Sequence, residues 1–66
     1  MNRVKGYRNM VGMTQKEMSK NLGISEGTYR QKEKGKSSFK DLEIKLFTDT
    51  VKKFYPDIKE KDIFFS

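Results

Sequence analysis

Apolar residues recur three or four positions apart along most of the chain, and this spacing is typical of amphipathic helices. Glycines and a single proline interrupt the repeat at the points where helices are expected to end. These boundaries predict four helices, over residues 2–11, 15–22, 26–34 and 41–55. One more turn is expected over residues 58–62, and only the last few residues alternate in the manner of a strand. We therefore predict an all-α fold, a compact domain of four to five helices.

Capping signals support the second and third helices. Thr14 precedes the second helix and Glu17 follows three residues later, which is the spacing of a capping box. Ser25 is a favourable N-cap for the third helix. Gly12 and Gly23 follow the first two helices, where a left-handed backbone suits glycine.

The third predicted helix differs from the others because it is polar on nearly every side. Tyr29 is its one large side chain with an apolar body, and Gly27 lowers helix stability by up to about 1 kcal/mol relative to Ala. A polar helix gains little from packing, so its outer face is expected to bind another molecule. The second and third helices and the tight turn between them form a helix-turn-helix pattern over about residues 15–34. Such a motif lays its second helix in the major groove of DNA.

The apolar stripes of the other helices identify the expected core. Phe39, Phe47 and Phe54 are assigned to it, and of the adjacent Phe64 and Phe65 one is expected to close the core while the other is exposed. An exposed Phe at a chain end suggests a dimer contact. The other expected core positions are Val4, Val11, Met18, Leu22, Ile24, Tyr29, Ile44 and Val51.

The charge is distributed unevenly along the chain. The net charge is +6, and residues 1–40 contain ten basic and three acidic residues, against five and six in residues 41–66. This asymmetry favours a polyanionic partner, with a solvated basic surface as the simpler alternative. Neither Cys nor His is present, which removes thiolate zinc sites and the commonest general base. We expect no enzymatic activity, no metal and no cofactor.

The length of 66 residues leaves room for one domain, over residues 1–66. No apolar run approaches the roughly 20 residues of a membrane span, and the polar start leads into no apolar signal region. The sequence therefore predicts a cytoplasmic protein without membrane contact.

From Arg3 to Lys36 the sequence resembles the repressor and Cro proteins of lambdoid phages and the wider family of bacterial regulators built on the same five-helix, lambda-repressor-like domain. The resemblance covers about half the chain without a gap. It is carried by Arg3-Val4-Lys5, Arg8, Gly12-Met13-Thr14-Gln15, Glu17-Met18, Leu22-Gly23-Ile24-Ser25 and Glu33-Lys34-Gly35-Lys36.

The resemblance implies a role for each matching position. Base edges would be read by the start and middle of the third helix, through Ser25, Glu26, Gly27, Arg30 and Gln31. Backbone phosphates would be contacted by the start of the second helix and by the basic loop, through Thr14, Gln15, Lys34, Lys36, Ser37, Ser38 and Lys40. Arg8 and Glu33 match a structural salt bridge between the first helix and the recognition helix.

Three features depart from the family pattern. Lys32 stands where the family usually has an apolar residue, and we expect its stem to cover the core while its amine reaches a phosphate. Gly27 removes a side chain from a favoured base-reading position. The sequence after Lys40 matches less closely, although its ending resembles that of small phage and mobile-element regulators.

The interpretation that follows is a sequence-specific DNA-binding regulator, a Cro-like repressor of a phage or mobile element. Its partner would be a double-stranded operator with palindromic half-sites, bound by a homodimer in which the tail, residues 58–66, contributes to dimerisation. The alternative is a protein-interaction module of the same fold, such as an antirepressor or an antitoxin-like protein. The polar third helix and the basic loop argue against the alternative, whereas the apolar tail permits it.

Overall fold

The computed structural model describes residues 3–65, which fold into five helices without a strand. The helices are α1 (Val4–Met10), α2 (Gln15–Leu22), α3 (Glu26–Glu33), α4 (Asp41–Lys52) and α5 (Glu60–Phe64). The predicted all-α architecture is confirmed. Within residues 3–65, no helix has the length and apolar character needed to cross a membrane.

The capping interactions expected for the two central helices are present. The Thr14 hydroxyl accepts a hydrogen bond from the Glu17 backbone N–H at 3.0 Å, and the Glu17 carboxylate accepts one from the Thr14 N–H at 2.9 Å. The Ser25 hydroxyl accepts from the Thr28 N–H at 3.1 Å. Gly23 ends α2 with a φ of 74°, a left-handed conformation that glycine adopts without strain. The capping box therefore starts α2, while Gly23 and the Ser25 cap define the turn between α2 and α3.

All five helices contribute side chains to the core. Its buried apolar side chains are Val4, Met18, Leu22, Tyr29, Phe47, Val51 and Ile63. A series of edge-to-face aromatic contacts extends it to the loop and the tail, with ring centroids 6.1 Å apart for Tyr29 and Phe39, 5.2 Å for Phe39 and Phe64, and 5.5 Å for Phe47 and Phe64. The loop before α4 and the end of the chain are therefore packed against the same centre.

The prediction for Phe54 was wrong, because α4 ends at Lys52 and not at Tyr55. Beyond Val51 the backbone tightens, with the Phe54 N–H donating to the Val51 carbonyl at 3.0 Å. Pro56 follows two residues later, and the residue before a proline, here Tyr55, disfavours the helical conformation. The side chain of Phe54 is consequently 59% exposed and lies outside the core.

Helix α5 supplies the side chains that close the core in place of Phe54. The weak alternation of the ending does not form a strand, since residues 60–64 are helical. Ile63 is buried, Phe64 packs against the core and Phe65 is 69% exposed. One member of the Phe pair is thus inside and the other outside, as expected. The Arg3 N–H donates to the Ile63 carbonyl at 2.8 Å, which joins the beginning of the described chain to its end.

Candidate nucleic-acid interface

The outer face of α3 is polar and open to solvent. Helical spacing of three and four residues places five polar or small positions along this face, namely Glu26, Gly27, Arg30, Gln31 and Lys34. A Cβ at Gly27 would meet nothing within 4 Å, so no packing constraint inside the domain requires glycine there. The face is therefore locally flat at its N-terminal end, where a close approach from outside is unobstructed.

The inner side of α3 is fixed by a buried ion pair. Arg8 in α1 donates from Nε to Glu33 Oε2 at 2.9 Å and from Nη2 to Glu33 Oε1 at 3.2 Å, which is a bidentate geometry. The two side chains are only 9% and 4% exposed. Arg8 Nη1 donates to the Met13 carbonyl at 2.9 Å, and the Tyr29 hydroxyl donates to Glu33 at 2.6 Å. The Arg8–Glu33 salt bridge that the family resemblance implied is therefore present. It connects α1, the turn after α1 and the end of α3.

The electrostatics of this cluster favour the ionised pair. Burial raises the pKa of Glu33, but the hydrogen bonds from Arg8, Tyr29 and Gln15 outweigh it and hold that pKa below its usual value. The hydrogen bond to Glu33 raises the pKa of Arg8. Burial, reinforced by the adjacent Glu33 carboxylate, raises the pKa of the Tyr29 phenol. The cluster therefore holds α3 through a charged pair and a neutral phenol at neutral pH.

Gln15, the first residue of α2, connects this buried pair to the exposed face. Its Nε2 donates to Glu33 Oε1 at 3.0 Å, and its Oε1 accepts from Arg30 Nε at 3.1 Å. An amide has two N–H donors, and the second N–H of Gln15 makes no hydrogen bond to residues 3–65. The predicted contact of Gln15 with a phosphate is compatible with this geometry and stays a prediction.

Two of the predicted base-reading residues are paired with each other. Arg30 Nη2 donates to Glu26 Oε2 at 2.7 Å, one helical turn away along α3. The Ser25 hydroxyl caps the helix and donates to Thr28 Oγ1 at 2.9 Å, so it is already engaged locally. Gln31 is exposed, and its side chain makes no hydrogen bond to residues 3–65. The base-reading role of these residues stays a prediction.

The basic loop after α3 is exposed along most of its length. Gly35 adopts a φ of 83°, and the Lys36 N–H returns to the Gln31 carbonyl at 2.9 Å. The predicted phosphate-contacting side chains of the loop are all exposed: Lys34, Lys36, Ser37, Ser38 and Lys40. An open groove of about 470 Å³ is lined by this loop together with Phe64 and Phe65. Thr14, at the start of α2, is exposed as well, although its hydroxyl is engaged in the capping box.

The structure corrects the role expected for Lys32. Its amine does not point to solvent but forms a buried ion pair with Glu43, in the first turn of α4. Glu43 also accepts a hydrogen bond from the Lys40 N–H at 2.9 Å. Burial raises the pKa of Glu43, yet the contacts with Lys32 and Lys40 bring that pKa below its usual value. Lys32 therefore attaches α3 to α4 and is not available to a phosphate.

Glu43 was not predicted to have a structural role. It lies in the first turn of α4, where the helix dipole also favours a negative charge. The available signal was Lys32 itself, since a Lys at an inward position requires a buried partner.

Residues 4–48, about two thirds of the chain, match the model of the helix-turn-helix family. No curated protein and no solved structure matches the chain. The matched stretch runs from α1 into α4 and includes every residue predicted above to contact DNA.

Proposed function

Because the chain belongs to the helix-turn-helix family, it binds double-stranded DNA sequence-specifically and regulates transcription, and we propose that it does so as a Cro-like repressor. The proposed complex is a homodimer on an operator with two palindromic half-sites about one helical turn apart. The resemblance of residues 3–36 to phage regulators supports a phage or mobile element as its source. The absence of His and Cys supports a binding role without catalysis.

One observation carries the proposal: the outer face of α3 is polar and exposed, while buried contacts hold the inner side of the same helix. The major groove is wide enough to admit one helix. Arg30 and Gln31 lie on this face, and such side chains can pair with guanine and adenine edges. A rigidly attached helix positions those groups without first having to order them.

The exposed charges of the basic loop support phosphate binding beside the groove. Lys34, Lys36 and Lys40 are exposed within seven residues of one another. Contacts of this kind release counterions, so the association constant falls steeply with salt concentration. They supply affinity for all sequences, whereas α3 supplies the preference for one.

The exposed Phe65 supports dimerisation through the tail. A large apolar side chain that is 69% exposed beside an open groove is suited to contact a second copy of the chain. Sedimentation of the chain with and without a bound duplex measures the stoichiometry. Two chains per operator support the dimer, and a single chain on a fully protected site contradicts it.

Footprinting on the DNA that adjoins the chain's own gene tests the proposal as a whole. The expected result is a protected pseudo-palindrome that overlaps a promoter, together with reduced transcription from that promoter in vitro. Equal binding to the flanking DNA and to a random duplex of the same length would contradict an operator. Increased transcription would contradict repression while leaving DNA binding intact.

The exposed apolar side chains favour one alternative, a protein-interaction module of the same fold. Leu42, Phe54 and Phe65 are each more than half exposed. Under this alternative the chain would bind a protein partner with its apolar surface and would not protect any flanking DNA. The same footprint therefore discriminates between the two functions.

A further inference from the structure

We infer that Arg30 reads a guanine through the end of its guanidinium group, and that Glu26 and Gln15 are positioning residues that hold it in that orientation. The inference rests on the proposed function and deepens it, because it names the base and the geometry of one contact. It starts from the two hydrogen bonds that Arg30 makes within the domain.

The guanidinium of Arg30 is held along one edge only. An Arg side chain has five N–H donors in a planar fork. Arg30 uses Nε for the Gln15 oxygen at 3.1 Å and Nη2 for the Glu26 carboxylate at 2.7 Å, and these two nitrogens form the side edge of the group. The other N–H of Nη2 and both of Nη1 make no hydrogen bond to residues 3–65. The end edge thus keeps two parallel donors.

Two parallel donors match the acceptors of guanine. In the major groove, guanine presents O6 and N7 side by side, and bidentate Arg is the commonest specific contact to them. Adenine offers N7 beside an amino group, so the same fork would meet a donor and lose one hydrogen bond. Arg30 lies on the exposed face of α3, with its side chain 55% exposed, so its end edge can reach a base.

The buried ion pair helps to hold the Arg30 side chain in place through Gln15. Glu33 is held by Arg8, Gln15 donates to Glu33, and Gln15 in turn accepts from Arg30. Glu26 holds the same guanidinium from the preceding turn of α3. Restricting a long side chain before binding reduces the entropy lost in the complex. The network therefore favours one orientation of the Arg30 donors.

The experiment begins with selection of a binding site by the wild-type chain from a pool of random duplexes. Affinities are then measured for all four base pairs at each selected position, for the wild type, Arg30→Lys, Glu26→Gln and Gln15→Ala. At one position the wild type should prefer guanine by about tenfold, the range of a bidentate contact. Arg30→Lys keeps the charge but lacks the planar fork, so it should weaken this preference several-fold and still bind DNA.

Glu26→Gln separates positioning from charge. Removal of a carboxylate near DNA should strengthen binding to random duplexes, while the weaker hydrogen bond from Arg30 to a neutral amide oxygen should reduce the guanine preference, so the two effects have opposite signs. Gln15→Ala should also weaken the preference at that position. Asp49→Asn is the matched control, since Asp49 makes the same kind of one-turn pair with Lys45 on α4 and no DNA contact is proposed there. It should leave the guanine preference unchanged.

Replacing the selected guanine with 7-deazaguanine provides a direct readout of the contact. Loss of N7 should weaken wild-type binding several-fold and weaken Arg30→Lys binding less. The inference would be overturned, with DNA binding left in place, by a selected site without a guanine that depends on Arg30. An undiminished guanine preference in Arg30→Lys would overturn it as well. A pool without any enriched sequence would refute operator recognition, and the inference with it.

Discussion

Replacement of Glu33 by Gln tests whether the buried ion pair determines the stability of the domain. Gln preserves the shape of the side chain but removes its charge, so Arg8 is left buried without a counterion. The Glu33 carboxylate accepts hydrogen bonds from Arg8, Gln15 and Tyr29, and its side chain is 4% exposed. Removal of one partner from a buried ion pair typically costs about 3–5 kcal/mol.

This loss is large relative to the stability of so small a domain. At roughly 0.05–0.15 kcal/mol per residue, a chain of 66 residues has a total free energy of unfolding of about 3–10 kcal/mol. Glu33→Gln should therefore bring the domain close to unfolding at room temperature. Urea denaturation followed by far-ultraviolet circular dichroism measures the effect as a fall in the transition midpoint.

Two further variants show whether the reasoning is correct. Asp49→Asn removes a carboxylate from an exposed pair and should leave the midpoint nearly unchanged, because exposed pairs contribute little. The double replacement Arg8→Met with Glu33→Leu removes both charges and should be much less destabilising than Glu33→Gln alone. A Glu33→Gln chain within about 1 kcal/mol of the wild type would refute the assignment of stability to this pair.

Three further measurements test other parts of the structure. The pKa of Glu33 is below its usual value, so the stability that this carboxylate contributes is complete above about pH 4.5 and is lost as pH falls through the folded pKa. The urea midpoint should therefore fall less steeply in acid for Glu33→Gln than for the wild type. Gly23→Ala should destabilise by about 1 kcal/mol because of its left-handed backbone, whereas Gly27→Ala should stabilise by up to about 1 kcal/mol, and thermal unfolding that shifts both in the same direction would contradict this. In titrations of operator and random DNA, Lys36→Ala should weaken both and reduce the salt slope by about 1, whereas Gln31→Ala should cost about 1–3 kcal/mol on the operator only.

The local parts of the fold were predictable from sequence because their causes lie within a few residues. The capping box of Thr14 and Glu17 and the cap at Ser25 each depend on a backbone N–H three positions away. The left-handed turn at Gly23 depends on the steric freedom of one residue. Such features can be identified without knowledge of which helices meet.

The failures have both a local and a distant cause. The periodicity of α4 was extended to Phe54, but the helix ends earlier, before Pro56, and Ile63 from α5 is buried in the core. The amine of Lys32 was expected to reach a phosphate, but its partner is Glu43 in another helix. Periodicity identifies which face of a helix is apolar, and it does not show which other element covers that face.

The candidate site was predictable to a similar extent. The residues on the face of α3 follow from helical spacing, and the pair of Arg8 and Glu33 was expected from resemblance to a family. The hydrogen bonds that join Gln15 to both Glu33 and Arg30 were not predicted. They depend on the angle and distance between α2 and α3, which the turn sets only after the core has formed.

The packing of α3 explains why polar contacts have such weight in this domain. Tyr29 is the one apolar side chain that α3 buries, so apolar burial attaches the helix at a single position. Apolar contacts are also non-directional, whereas an ion pair with several hydrogen bonds has one favourable geometry. The pairs of Glu33 with Arg8 and of Lys32 with Glu43 attach the last turn of α3 to α1 and to α4. A helix held in this way keeps a defined orientation and leaves its outer face exposed, which is what the proposed recognition of base edges requires.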